Sequence, residues 1–301
     1  MMTNTFSDHF LAPHILANVS ASLLEDMRQL SRRRHGEKAA EYQSLDYTAQ
    51  MIPRDKQGSA TVISRQDAVL CGKPWFDACF TMLDPDCSLT WLVKEGEAIK
   101  AGQTLCEIQG KARAMLTAER SALNFLQTLS ATATVTRQYV DLIAGTNAKI
   151  YDTRKTLPGL RIAQKFAVHI GGGENQRLAL YDGVLIKENH IIAAGGIRQA
   201  LADASKITPS GISIQIEVES LEELREALEA DAKLILLDNF SVDAIREAVK
   251  LNAGRAELEA SGGVNLNTVW AIAETGVDRI SIGAITKDVR AVDLSMRFKM
   301  S

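Results

Sequence analysis

Residues 213–263 read SIQIEVESLEELREALEADAKLILLDNFSVDAIREAVKLNAGRAELEASGG, and their rhythm decides the fold. The runs 213–218, 234–237 and 257–260 are short and apolar, as strands buried in a sheet would be. Between them, 221–230 and 242–251 place apolar residues at helical spacing over about ten residues each. Strand-then-helix repetition of this kind demands a parallel sheet, because each strand must return to the same end before the next begins.

The pattern extends both ways. Further strands are expected at 149–151, 183–186 and 279–282, which makes six β/α units. Six units suit an incomplete parallel α/β barrel; an open doubly wound sheet is the competing architecture. A long helix is expected over 119–144, with Leu123, Leu126, Leu129, Val135, Tyr139 and Leu142 close to helical spacing. Before it the style changes. Short β-like runs at 60–64, 68–71, 89–93 and 103–108 are broken by turn signals at Gly72-Lys73-Pro74, Glu95-Gly96 and Ala101-Gly102. A polar helical start is expected around 23–41 and includes Arg32-Arg33-Arg34, read as a solvated face. These features define an N-terminal α/β domain over 1–130 and a barrel domain over 131–287. The tail, 288–301, is expected to return to the first domain as a closing strand or helix. The stretch 91–110 shares a rhythm with biotinyl and lipoyl carrier domains but lacks their hairpin lysine.

The chain has 301 residues, 46% hydrophobic and 24% charged, with a net charge of −3, the balance of a soluble globular protein. Nothing in it points to nucleic acid or to a membrane surface, and a cytoplasmic location is expected. Cys71, Cys79, Cys87 and Cys106 lack metal-site spacing and are expected to be plain thiols. His9, His14, His35, His169 and His190 are scattered, and no Ser–His–Asp or Cys–His set presents itself. Chemistry here would work by placing charge rather than through a covalent side-chain intermediate.

In a parallel barrel the chemistry sits at the carboxyl ends of the strands. Every expected strand meets that requirement, running in order into Asp152-Thr153-Arg154-Lys155, Lys187-Glu188-Asn189-His190, Glu217 with Glu219, Asp238-Asn239, Ser261-Gly262-Gly263 and Gly283-Ala284. Arg154, Lys155, Arg161, Lys165, Arg177 and Lys187 are basic, and only Glu174 and Asp182 oppose them in that stretch. Such a rim suits a ligand with several carboxylates or phosphates. Arg161 and Lys165 also fit a solvated helix face. The two glycine turns suit phosphate, and Gly171-Gly172-Gly173 suits a tight turn that brings Arg177 to the site. Glu217 and Asp238 suit Mg²⁺ or ribose hydroxyls, without a dedicated metal cage.

The stretches ERSALNFLQTLSATAT, DTRKTLPGLR, KFAVHIGGG, LIKENHI, EVESLEEL, LLDNF, ASGGV and ISIGAITK resemble the quinolinate phosphoribosyltransferase family from about Ala60 onward. The resemblance implies an N-terminal α/β sandwich, a C-terminal incomplete barrel and a head-to-tail homodimer. It implies that quinolinate and phosphoribosyl pyrophosphate, with Mg²⁺, give nicotinate mononucleotide, pyrophosphate and CO2 in NAD synthesis. Carried over, Arg154, Lys155, Arg177 and Lys187 would bind the anionic groups, and Thr153 the ring substituents. Arg120, at the start of the long helix, would reach quinolinate in the partner's site. Glu217 and Asp238 would address ribose and metal, while Ser261, Gly262, Gly263, Ile282, Gly283 and Ala284 would hold phosphate. Lys155, Lys187, Glu217 and Asp238 would be catalytic.

One position departs from the family. Gln176 stands where a histidine is usual, in Gly173-Glu174-Asn175-Gln176-Arg177. Losing a charged hydrogen bond costs roughly 1.5–3 kcal/mol, about ten- to 150-fold if nothing compensates. Two other functions fit the same residues. One is a phosphoribosyltransferase for another anionic acceptor, as in the molybdenum-operon relatives, although Lys187-Glu188-Asn189-His190 resembles the quinolinate enzyme. The other is a quinolinate binder that has lost turnover.

Overall fold

The computed structural model describes residues 6–27 and 46–300, the side chain of Met300 excepted. The chain forms two compact units. One takes in the described residues of Met1–Thr134, Pro158–Gly171 and Val289–Ser301; the other takes in Val135–Leu157 and Gly172–Asp288.

The first unit holds strands β1 (Gln57–Ser64), β2 (Ala68–Val69), β3 (Ser88–Trp91), β4 (Ala98–Ile99) and β5 (Thr104–Lys111), joined by the last strand of the chain, Leu294–Met300. The main sheet is antiparallel, and the last strand pairs with β1, so the tail does return as a strand. Helices α1 (Asp8–Met27) and α2 (Lys73–Leu83) pack with this sheet's core, in which Trp75, Phe76, Phe80, Leu105 and Ile108 are fully buried. Helix α2 corrects the expectation of a mere turn at Gly72-Lys73-Pro74. Proline in a helix's first turn starts it rather than breaks it. Gly72 precedes it at φ +109, and the Glu95 carboxylate accepts the N–H groups of Gly72 at 2.6 Å and Lys73 at 3.2 Å. The run Arg32-Arg33-Arg34 and the rest of 28–41 lie outside the described residues.

The long helix α3 (Ala112–Leu142) starts seven residues before the expected 119, because Ala112, Ala114 and Met115 are themselves good helix formers and are buried. Arg120 therefore sits in its third turn, not at its start.

The second unit is the barrel. Strands β6 (Lys149–Tyr151), β7 (Gly183–Ile186), β8 (Ser213–Val218), β9 (Leu234–Asp238), β10 (Glu257–Ser261) and β11 (Arg279–Ser281) form one parallel sheet in the order β6-β11-β10-β9-β8-β7. The first strand lies beside the last, with no reversal of order. That is the arrangement of a barrel, and it rules out the doubly wound alternative. β6 and β7 remain edges. Glu174 bridges to the β6 edge, with its N–H on the Ile150 carbonyl at 2.8 Å, and Arg177 Nη1 reaches the Gly183 carbonyl of β7 at 2.9 Å. The segment 174–177 thus spans the gap where another strand would lie.

Side chains alternate across each strand. Ile216, Val218, Ile235, Leu237, Leu258, Ala260 and Ile280 fill one face and are buried. Helices Leu221–Glu229 and Val242–Asn252 bury matching stripes, Leu224-Ala227-Leu228 and Ile245-Ala248, and are capped by Ser220 and Ser241. The opposite face is polar. By register, Glu217, Leu236, Glu259, Arg279 and Lys149 share one cross-strand row, and Asp238, Ser261, Ser281 and Tyr151 the next.

Candidate active site

That polar face carries the expected residues to its carboxyl end. Thr153, Arg154 and Lys155 follow β6. Thr153 Oγ1 accepts the Lys155 N–H at 3.1 Å, and the Lys155 carbonyl accepts Thr286 Oγ1 at 2.9 Å, which ties the β6 loop to the turn after β11. A Cβ on Gly283 would lie 2.9 Å from the Lys155 side chain, so this glycine admits the lysine to the turn. Ile282 does not serve as a phosphate donor, as was expected of it: it is 2% exposed and its N–H is spent on the Tyr151 carbonyl at 2.9 Å. Gly283 and Ala284 open the short helix Ala284–Lys287 at that point.

After β10, Gly262 and Gly263 take φ +96 and +62, a left-handed pair that only glycine adopts without strain. A Cβ on Gly262 would overlap the Asn239 side chain. Asn239 in turn donates to Asp238 Oδ2 at 2.8 Å, and its N–H meets the Ser261 carbonyl at 2.9 Å. The ends of β9 and β10 are therefore one interlocked unit.

Lys187, after β7, pairs with Glu217 of β8 at 3.0 Å, linking the basic rim to the acidic side. His190 accepts the Lys187 N–H through Nδ1 at 3.0 Å and fastens that turn. The acidic side is crowded: Glu188 first, then burial, Glu223, Asp238 and Glu217, push the Glu219 carboxyl up. A cation is welcome there. Among the described residues no three His, Cys, Asp or Glu side chains gather to cage a metal. Glu217 and Asp238 are the carboxylates of β8 and β9 that could hold a hard cation such as Mg²⁺.

The basic side is strained in the opposite sense. Burial first, then the neighbouring Arg154, lower the Arg177 pKa, and Asp182 only partly offsets this. Arg154 Nε is buried and has no hydrogen-bond partner among the described residues. Two guanidinium groups held together with too few acceptors make a site for an anion.

Gln176 is turned inward. Its N–H donates to Asp152 Oδ1 at 2.9 Å, its Oε1 accepts the Arg177 N–H at 2.7 Å, and its Nε2 donates to Gln215. Asp152, wholly buried, also accepts Asn175 Nδ2 at 2.7 Å. The carboxylate of Asp182 accepts the N–H groups of Leu178 and Ala179, both at 2.7 Å. These three supports, Asp152, Asp182 and Gln215, were missed in the sequence. Only the placement of Asp152 beside Thr153 and Arg154 hinted at one of them.

Three expected residues belong to the other unit. Arg120 is exposed on α3. Lys165, on helix Arg161–Ile170, is fully buried rather than solvated, while Arg161 is half-buried.

A parallel barrel with cations, carboxylates and two glycine turns on one rim is a phosphate-handling enzyme. The comparisons give the particular family. The N-terminal domain of quinolinate phosphoribosyl transferase matches residues 46–130 and its C-terminal domain residues 132–297. The chain belongs to the quinolinate phosphoribosyltransferase family. It is 38% identical to a probable nicotinate-nucleotide pyrophosphorylase (carboxylating) of Bacillus subtilis, over 85% of this chain and 89% of that one. It is 41% identical to the nicotinate-nucleotide pyrophosphorylase of Mycobacterium leprae, over 84% and 90%. The solved nicotinate-nucleotide pyrophosphorylase of Francisella tularensis superposes with a TM-score of 0.86 at 42% identity, covering 95% of this chain and 96% of that one.

Proposed function

We infer that the protein is a decarboxylating quinolinate phosphoribosyltransferase, which joins quinolinate to phosphoribosyl pyrophosphate and releases pyrophosphate and CO2 to give nicotinate mononucleotide. The observation that carries this reading is the Arg154–Arg177 pair with its buried, unpartnered Nε, in a barrel whose β8 and β9 carry Glu217 and Asp238. A dianionic acceptor satisfies the first group, and the ribose of a pyrophosphate donor suits the second.

Arg154, Arg177 and Thr153 hold the quinolinate carboxylates, while Lys155 and Lys187 face the donor's phosphates. Gly262, Gly263, Gly283 and Ala284 receive the 5′-phosphate through their backbone. The pyridine nitrogen lone pair forms the bond to the ribosyl carbon as the bond to pyrophosphate breaks with its electron pair. Lys155 and Lys187 stabilise the departing charge. The bond from the ring to the adjacent carboxylate then breaks, and its electrons stay on a carbon beside the cationic nitrogen until a proton replaces CO2. Glu217 and Asp238 would hold Mg²⁺, which would supply positive charge to offset that of pyrophosphate. The enzyme is taken to be a cytoplasmic homodimer in which Arg120, exposed on α3, serves the partner's site.

Purified protein given quinolinate, phosphoribosyl pyrophosphate and Mg²⁺ is expected to form nicotinate mononucleotide and CO2 in equal amounts, and to form none with nicotinate. Lys155→Ala is expected to lose at least about a hundredfold in kcat, as removing one transition-state cation does, with unchanged melting. Quinolinate binding without product in the unaltered protein would establish a binder instead.

A further inference from the structure

The barrel interior contains a buried acid for which the reaction above has no use. Glu259, in the middle of β10, is 0% exposed. Its Oε2 accepts Gln215 Nε2 at 2.9 Å, and its Oε1 has no partner among the described residues. A carboxylate kept out of water with one hydrogen bond is costly, and a leucine or methionine would fill the same space without that cost.

The bond it makes explains what the cost supports. Gln215 is on β8 and Glu259 on β10, with β9 between them, so strands some 9–10 Å apart are linked by side chains across the concave face. Gln215 continues the chain, its Oε1 accepting Gln176 Nε2, and Gln176 Oε1 accepts the Arg177 N–H at 2.7 Å. The order of donors has a single solution. Glu259 Oε2 accepts, so Gln215 turns its NH₂ toward Glu259 and its oxygen toward Gln176. Gln176 must then present its NH₂ inward and its oxygen to the backbone of Arg177. Without the acid the order is held only from the Arg177 N–H, and the Gln215 amide loses the acceptor that fixes its far end.

We propose that Glu259 is a positioning residue that acts through Gln215 to fix the amide of Gln176 and so the backbone at Arg177, which sets the quinolinate-binding guanidinium. This deepens the function inferred above and rests on it for the identity of the ligand. It also gives Gln176 a role of its own. Where the family's usual residue is histidine, this chain has an amide whose direction is dictated from the far side of the barrel.

The test compares Glu259→Gln, Gln215→Leu and the double variant. Glu259→Gln keeps the shape but removes the dictated direction. It is expected to raise the KM for quinolinate about three- to tenfold, the size of one misdirected hydrogen bond, with kcat and the KM for phosphoribosyl pyrophosphate within about twofold. Gln215→Leu should produce a similar rise in KM, and the double variant should add no more, because both cut one chain. Unchanged KM for quinolinate in Glu259→Gln, or additive effects in the double variant, overturns the proposal. Side-chain amide resonances of Gln176 and Gln215 report the same point without turnover. In the unaltered protein both are expected to be resolved and slow to exchange, and in Glu259→Gln both should shift. If the unaltered protein makes no nicotinate mononucleotide, the function reading fails, and the resonances alone decide the positioning role; no shift at Gln176 refutes it.

Discussion

Replacing Arg154 by methionine should make the empty protein more stable and the working protein worse. The methionine chain reaches about to the Nε position and no further, so the buried Nε without a partner disappears, and so does the repulsion that helps lower the Arg177 pKa. A buried unsatisfied donor costs about 1–3 kcal/mol. In a folding unit of this size each kcal/mol moves the melting temperature by about 2–4 °C, so a rise of roughly 2–12 °C is expected for the ligand-free protein. Quinolinate, on the other hand, loses a charge-assisted hydrogen bond of about 1.5–3 kcal/mol, so its dissociation constant should rise about ten- to 150-fold. Thermal melts with and without quinolinate, together with titration calorimetry, measure both effects on the same samples. The unaltered protein should gain stability from quinolinate in proportion to occupancy, and the variant should gain little at the same concentration. A variant that melts lower than the unaltered protein when empty, or that binds quinolinate equally well, refutes the view that this arginine is strained in wait for an anion.

Gly262→Ala forces a side chain into φ +96 and against Asn239; a loss of at least about tenfold in kcat/KM for phosphoribosyl pyrophosphate, larger than that for quinolinate, is expected in steady-state kinetics. The thiols should be silent in the folded state. Burial raises Cys79 and Cys106 to about 12 and Cys87 to about 11, and burial followed by Glu95 raises Cys71. Ellman's reagent should therefore titrate none of the four quickly in native buffer and all of them in guanidinium. At Asp84, burial pushes the carboxyl up, but the backbone N–H and ammonium of Lys111 outweigh it and hold the pKa below the usual value. A depressed pKa stabilises the fold above the unfolded value near 3.9, and that contribution is lost as pH falls through the folded value. Asp84→Asn should thus cost about 1–3 kcal/mol in urea melts at pH 7, with the difference closing below about pH 4.

The two periodicities in the sequence were sufficient for a parallel sheet of six β/α units, and the pairing of β6 with β11 then chose the barrel over the doubly wound sheet. Ser213–Val218 alternates polar and apolar residues, 234–237 is an unbroken apolar run, both are of strand length, and Leu221–Glu229 shows its buried stripe at a glance. Polar residues at strand ends gave the rim, since a parallel barrel has only one end for chemistry. The basic residues Arg154, Lys155, Arg177 and Lys187 were legible for that reason. The helix Lys73–Leu83 was not, because Gly72 and Pro74 signal a turn as readily as a helix start, and only the carboxylate of Glu95, twenty-two residues beyond Lys73, settles which.

What tertiary structure decided was everything that depends on the curvature of the sheet. In sequence, Glu259 looks like one more acid in an alternating strand, and Gln215 like a solvated neighbour. Their bond exists because the sheet curls until β8 and β10 face each other across its hollow side. The same holds for Gln176. Its identity set it apart from a family pattern, but its bonds to Asp152, Gln215 and Arg177 come from a segment laid along the β6 edge, where a missing strand leaves room. Strand periodicity is a local property that each segment carries alone. Which polar groups meet on the hollow side of a curled sheet is set by register and curvature, to which every strand contributes and which no single stretch of sequence contains.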